Sequence, residues 1–191
     1  METPNQTLTA AESLDIIAKM IQEAKGNVKR NSIYLLLWGF VTVAANLGMF
    51  IFIQIDYPRP YLIWLITIPA WIATLFIAFK QGKSKQTTSH LDTINASLWF
   101  SYGVTILAIV GFGFKINYQI NPIVLVMSAV PAFVSGVIIK FRPLMLGGIF
   151  YLIFGVVCFL VDGPWQYLVG AIAVTAGFLI PGFMLQNKTD L

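Results

Sequence analysis

The side chains able to do chemistry in this 191-residue chain are few and mild. One histidine, His90, and one cysteine, Cys158, stand far apart, with no second ligand at a spacing that would hold zinc. No nucleophile–base pair, glycine-rich phosphate loop or pair of carboxylates stands out, so the chain reads as non-enzymatic, with no cofactor and no metal. His90 falls in the polar stretch 83–95 and reads as an ordinary solvated residue. What remains is a set of hydroxyl and amide groups set into apolar sequence. Ser97, Ser101 and Thr105 recur every four residues, which places them on one helical face with Tyr102 beside it. Thr42 and Asn46 are likewise four apart, and Asn46 is the most polar side chain deep in any apolar run. An amide in lipid needs a partner, so Asn46 is expected to face other helices. Two uses fit these six residues. They could line a small polar cavity for a neutral or amphipathic solute, or they could tie helices together at ~0.6 kcal/mol per contact.

The elements that must position these groups follow from composition. Hydrophobic residues make up 58% of the chain and charged residues 10%, against roughly 45–50% and about 25% in ordinary soluble domains. Six uncharged apolar segments account for the difference: 32–55, 61–79, 96–114, 123–139, 143–161 and 165–185. Each is long enough for a hydrocarbon core about 30 Å thick, and none alternates as a barrel strand does. Only helices satisfy their own backbone in lipid, so the fold class is all-α: a polytopic membrane protein with six transmembrane helices. The breaks between segments are well marked, by Tyr57-Pro58-Arg59-Pro60, Asn121-Pro122 and Asp162-Gly163-Pro164. The bilayer is therefore one partner. The scattered basic residues, which give a net charge of +4, do not form a nucleic-acid surface.

Orientation follows from the basic residues. Lys19, Lys25, Lys29, Arg30, Lys80, Lys83, Lys85, Lys140, Arg142 and Lys188 fall on one side of such a bundle, and only Arg59 and Lys115 on the other. Basic residues favour the cytoplasm, which predicts that both termini are cytoplasmic. No cleavable signal peptide is evident, and the first span is expected to act as an uncleaved anchor.

Residues 1–31 read as a separate cytoplasmic amphipathic helix, and 186–191 as a cytoplasmic tail. Thr9-Ala10-Ala11-Glu12 fits a capping box. Ala10, Leu14, Ile17, Ile21, Ala24 and Val28 then draw one narrow apolar stripe. Leu14, Ile17, Ile21 and Val28 are candidate contacts for a partner helix; the same stripe would suit an interfacial helix lying against its own bundle. Small residues align at Ser128, Ala132 and Gly136, at Ala44 and Gly48, and at Ala173 and Gly177, and such rows let helix backbones approach closely within one chain or between copies. Pro69 and Pro131, near the middles of the second and fourth spans, are candidate kinks. Val41 to Gly48 resembles Val104 to Gly111 at an offset of 63, and Ile68-Pro69-Ala70-Trp71 resembles Val130-Pro131-Ala132-Phe133 at an offset of 62. Near-equal offsets are what a duplicated helical hairpin leaves, and also what chance gives among membrane segments that draw on few residue types.

The run Glu12-Ser13-Leu14-Asp15-Ile16-Ile17, then Arg30-Asn31-Ser32 and Leu36-Leu37-Trp38-Gly39, resembles the start of a group of uncharacterised small six-span bacterial inner-membrane proteins with no known activity. The ending Ile180-Pro181-Gly182-Phe183-Met184-Leu185 is similar to theirs as well. The resemblance implies a multi-pass protein of the bacterial cytoplasmic membrane and brings no site residues with it. No Asp, Glu, Lys, Arg or His lies within a span, which argues against a proton relay or voltage sensor. The expected function is therefore that of a non-enzymatic membrane protein acting through a membrane partner protein or as a homo-oligomer. The alternative is a small transporter or channel for a neutral or hydrophobic solute.

Overall fold

A computed structural model describes the backbone of residues 10–84 and 90–187, and the side chains of residues 32–80 and 90–187. Every regular element among these residues is helical: α1 (Ala10–Gln54), a 3₁₀ segment (Pro60–Ile66), α2 (Thr67–Ser84), α3 (His90–Gly111), a 3₁₀ turn (Gly113–Ile116), α4 (Ile120–Ile138), α5 (Arg142–Leu160), α6 (Trp165–Val174), a π turn (Thr175–Leu179) and α7 (Ile180–Asn187). Six stretches are long and apolar enough to cross a bilayer: Ser32–Gln54, Pro60–Lys80, His90–Gly111, Ile120–Ile138, Arg142–Leu160 and Trp165–Asn187. The chain is a polytopic all-α membrane protein.

The boundaries depart from the sequence reading in instructive places. The helix of the first span continues unbroken from Ala10, so residues 10–31 and the first span share one helix. Leu14, Ile17, Ile21 and Val28 lie on its N-terminal half, with their side chains outside the described residues. The third helix begins at His90, six residues before the apolar run, and carries Asp92 in its first turn, where a carboxylate meets the positive end of the helix dipole. Asn117 and Tyr118, at φ 50° and 58°, then turn the chain into α4. Pro69 stands in the first turn of α2, directly after the 3₁₀ segment. Its missing N–H falls where a helix has no internal partner to offer, so the expected mid-helix kink is instead a 3₁₀-to-α junction. Pro131 is inside α4 as expected, and withholds an N–H from the carbonyl of Met127.

Glycines set the packing at the centre. Antiparallel α4 and α5 meet along Gly136, Gly148 and Gly155, where an added β-carbon would lie 2.6 Å from the Met145 nitrogen, 2.7 Å from the Phe133 nitrogen and 2.6 Å from Val126 Cγ2. Helix α1 runs beside α6, the π turn and α7, with Gly39 against Leu179 and Gly182 against Leu36. Leu125, Ala132, Leu144, Tyr151, Ala173 and Phe178 fill the core between them. Half of the α4 span and 56% of the last span are buried, against 6% for each of the α2 and α3 spans. These two helices are therefore peripheral, α2 held on α1 and α3 on α4.

The π turn has a local cause. Pro181 lacks the N–H that the Gly177 carbonyl would accept in an α-helix, and its ring crowds that carbonyl. The preceding turn widens, and the Ile180 N–H donates instead to the Thr175 carbonyl. The Tyr151 ring fits against Gly177 and stacks edge-on to Phe178, with ring centres 5.0 Å apart.

Candidate functional site

The six polar residues singled out in sequence fall into three separate places. Thr42 and Asn46 lie on α1. The Thr42 hydroxyl donates to the Trp38 carbonyl at 2.5 Å, and the Asn46 amide nitrogen donates to the Thr42 carbonyl at 2.9 Å. Asn46 is 1% exposed, and its amide oxygen accepts no hydrogen bond. Tyr102, on α3, faces α4 and bonds the Ser128 hydroxyl. Ser128 spends its own proton on the Val124 carbonyl at 2.7 Å, so Tyr102 is the donor. Ser97 and Ser101 face outward and are exposed, and the half-buried Thr105 hydroxyl donates to the Ser101 carbonyl at 2.8 Å. The six do not converge on one cavity. The four-residue rule places Ser97, Ser101 and Thr105 on a common face, but that face is the outer one.

Two indole ties hold the peripheral helices. The Trp38 Nε1–H donates to Thr74 Oγ1 at 3.0 Å, joining α1 to α2, and the Trp99 Nε1–H donates to Ser135 Oγ at 2.9 Å, joining α3 to α4. Each pair is separated by 36 residues, and the second follows the first at an offset of 61 (Trp38 to Trp99, Thr74 to Ser135). That offset lies beside the 62 and 63 of the sequence repeat, so the first two hairpins share a tie as well as a pattern. Ser135 also donates to Asn95 Oδ1 at 2.6 Å, which makes it the hub of its tie.

A polar cluster that spacing alone does not reveal lies where α1, α4, α5 and α6 come together. The Asn121 amide nitrogen donates to the Gln166 carbonyl at 3.0 Å and approaches Cys158 Sγ at 3.6 Å. The Cys158 thiol donates to the same carbonyl at 3.3 Å. Asn46 reaches this cluster at Gly170 of α6. A β-carbon on Gly170 would stand 2.5 Å from Asn46 Oδ1 and 2.9 Å from Asn121 Nδ2, so two amides from different helices flank one glycine. Asn121 and Cys158 are both buried. Chemically this arrangement fixes helices; it holds no nucleophile beside a base. Among the described residues, no three His, Cys, Asp or Glu side chains come close enough to bind a metal ion.

The small-residue rows are used within the chain. Gly48 meets Ile63, Gly136 meets Met145, and Gly177 meets Tyr151. The outer face of α3, with Ser97 and Ser101 one turn apart, is the polar surface on which no described helix packs. Comparison with protein-family models, with curated proteins and with solved structures finds no match to the chain.

Proposed function

We propose that this is a non-enzymatic multi-pass protein of the bacterial cytoplasmic membrane, with both ends in the cytoplasm, that acts by self-association along the outer face of α3. The observation that carries this reading is the exposed pair Ser97 and Ser101 on a helix whose span is only 6% buried. Hydroxyls four residues apart let a second helix approach closely and bond across the contact, as small-xxx-small rows do in lipid. The orientation rests on Lys80, Lys140 and Arg142 at one end of the bundle against Arg59 and Lys115 at the other, together with the basic N-terminal residues. The bacterial membrane is what the family resemblance implies.

The test is oxidative cross-linking in native membranes, with Cys158→Ser as the background. Ser97→Cys and Ser101→Cys should give a covalent dimer, while Ile153→Cys, exposed on α5, should not. A monomer at both α3 positions, or equal cross-linking at position 153, removes the proposal.

A second reading, a carrier for a neutral or hydrophobic solute, is favoured by the paired indole ties of the two hairpins. It requires water beside α3. Rapid labelling of Ser101→Cys by a membrane-impermeant thiol reagent in intact membranes would favour that reading, and protection until denaturation would favour association.

A further inference from the structure

We propose that the α4–α5 hairpin carries a binding site for one anionic phospholipid, with its phosphate at Arg142 and an acyl chain in the groove beside it. The groove has a volume of about 280 Å³ and is lined by Phe133, Arg142, Met145, Leu146 and Ile149. Its origin lies in the glycine contacts. Gly136 and Gly148 bring the α4 and α5 backbones so close that the larger side chains flanking the seam stand out as walls. Phe133, Leu146 and Ile149 are exposed, and with Met145 they give the groove an apolar floor and sides.

Position and charge select the occupant. Arg142 begins α5 at the membrane edge, and exposed Lys140 precedes it in the hairpin turn, held left-handed at φ 52°. From Arg142 to Ile149 the helix rises about 10 Å, most of a half-bilayer of hydrocarbon about 15 Å deep. The groove thus starts at headgroup level and ends within the leaflet, as a glycerophospholipid does. A guanidinium takes a phosphate through paired N–H donors while its stem lies on apolar surface. Among the described residues no carboxylate pairs with Arg142 or Lys140, so both cations remain available to a lipid anion.

The test uses the full chain purified in mild detergent, offered equimolar phosphatidylglycerol and phosphatidylcholine of identical chains, with retained lipid counted by native mass spectrometry. One basic residue at the surface contributes ~1 kcal/mol toward an anionic lipid, so wild type should retain the anionic lipid about fivefold over the neutral one. Arg142→Gln should lose most of the preference, leaving only what Lys140 contributes, and Arg142→Lys should keep most of it. Ile149→Trp, which fills the groove, should lower retention of both lipids, and Lys115→Gln, at the opposite membrane edge, should change nothing. An unaltered preference in Arg142→Gln overturns the headgroup assignment. Undiminished retention in Ile149→Trp overturns the groove.

Discussion

Gly147 of α5 and Gly177 of the π turn meet so closely that a β-carbon on Gly147 would lie 2.5 Å from the Gly177 carbonyl oxygen. That carbonyl belongs to the residue four before Pro181, so the widened turn and the bare α5 surface answer the same steric problem. Gly147→Ala must push backbone against backbone, and overpacking of this kind costs ~1–3 kcal/mol. Thermal unfolding in detergent should show the loss. Gly111→Ala is the matched control, because nothing lies within 4 Å of its added carbon, and it should leave the melting temperature unchanged or raise it. Equal melting temperatures for Gly147→Ala and wild type would mean that the π turn shifts freely.

The two indole ties make unequal demands on their hydroxyls. Thr74 serves Trp38, whereas Ser135 serves both Trp99 and Asn95. Ser135→Ala therefore strands a half-buried donor and a half-buried acceptor together, and should destabilise by ~1–3 kcal/mol. Thr74→Ala strands one donor at the edge of the bundle and should cost about 0.6 kcal/mol. A double-mutant cycle on Trp99→Phe and Ser135→Ala reads the coupling directly. If Thr74→Ala proves the costlier change, α2 is held more firmly than its exposure implies.

Cys158 is the sole thiol of the chain, fully buried and bonded to the Gln166 carbonyl. Maleimide should not label it in the native protein and should label it completely after denaturation. Gly170→Ala inserts a carbon between Asn46 and Asn121, and the displaced Asn121 no longer covers the sulfur. Labelling of native Gly170→Ala should accelerate at least about tenfold, which corresponds to ~1.4 kcal/mol of easier opening. An unchanged rate would show that Asn121 gives no cover.

How much of this was legible in the sequence depends on whether the signal was local. The six spans follow from long uncharged runs, and all six are present within a few residues. Helix α3 starts six residues before its apolar run because residues 90–95 are polar, and hydropathy cannot see a helix that continues into water. Pro69 looked like a kink because an apolar run does not show where a 3₁₀ turn hands over to an α-helix. The face shared by Ser97, Ser101 and Thr105 was legible, but its direction was not, since lipid and protein interior are equally apolar. Asn121, Cys158 and Gln166 come from three helices, and no spacing along the chain links them. Asn46 was rightly placed in the interior, though its bond runs to its own helix.

That last detail separates two asparagines of the same cluster. Asn46 donates only to the Thr42 carbonyl of its own helix, and its oxygen is buried without a donor. Replacing it by leucine, similar in size, removes an unmet acceptor and no hydrogen bond between helices. Asn46→Leu should leave thermal stability unchanged or raise it by ~1 kcal/mol. Asn121 joins α4 to the Gln166 carbonyl of α6, so Asn121→Leu removes a hydrogen bond between helices and should lose ~0.5–1.5 kcal/mol. Unfolding both variants side by side tests the geometry at Gly170. Should Asn46→Leu be the more damaging, the Asn46 oxygen accepts a hydrogen bond inside the bundle, with the Asn121 amide at the same glycine as the candidate donor.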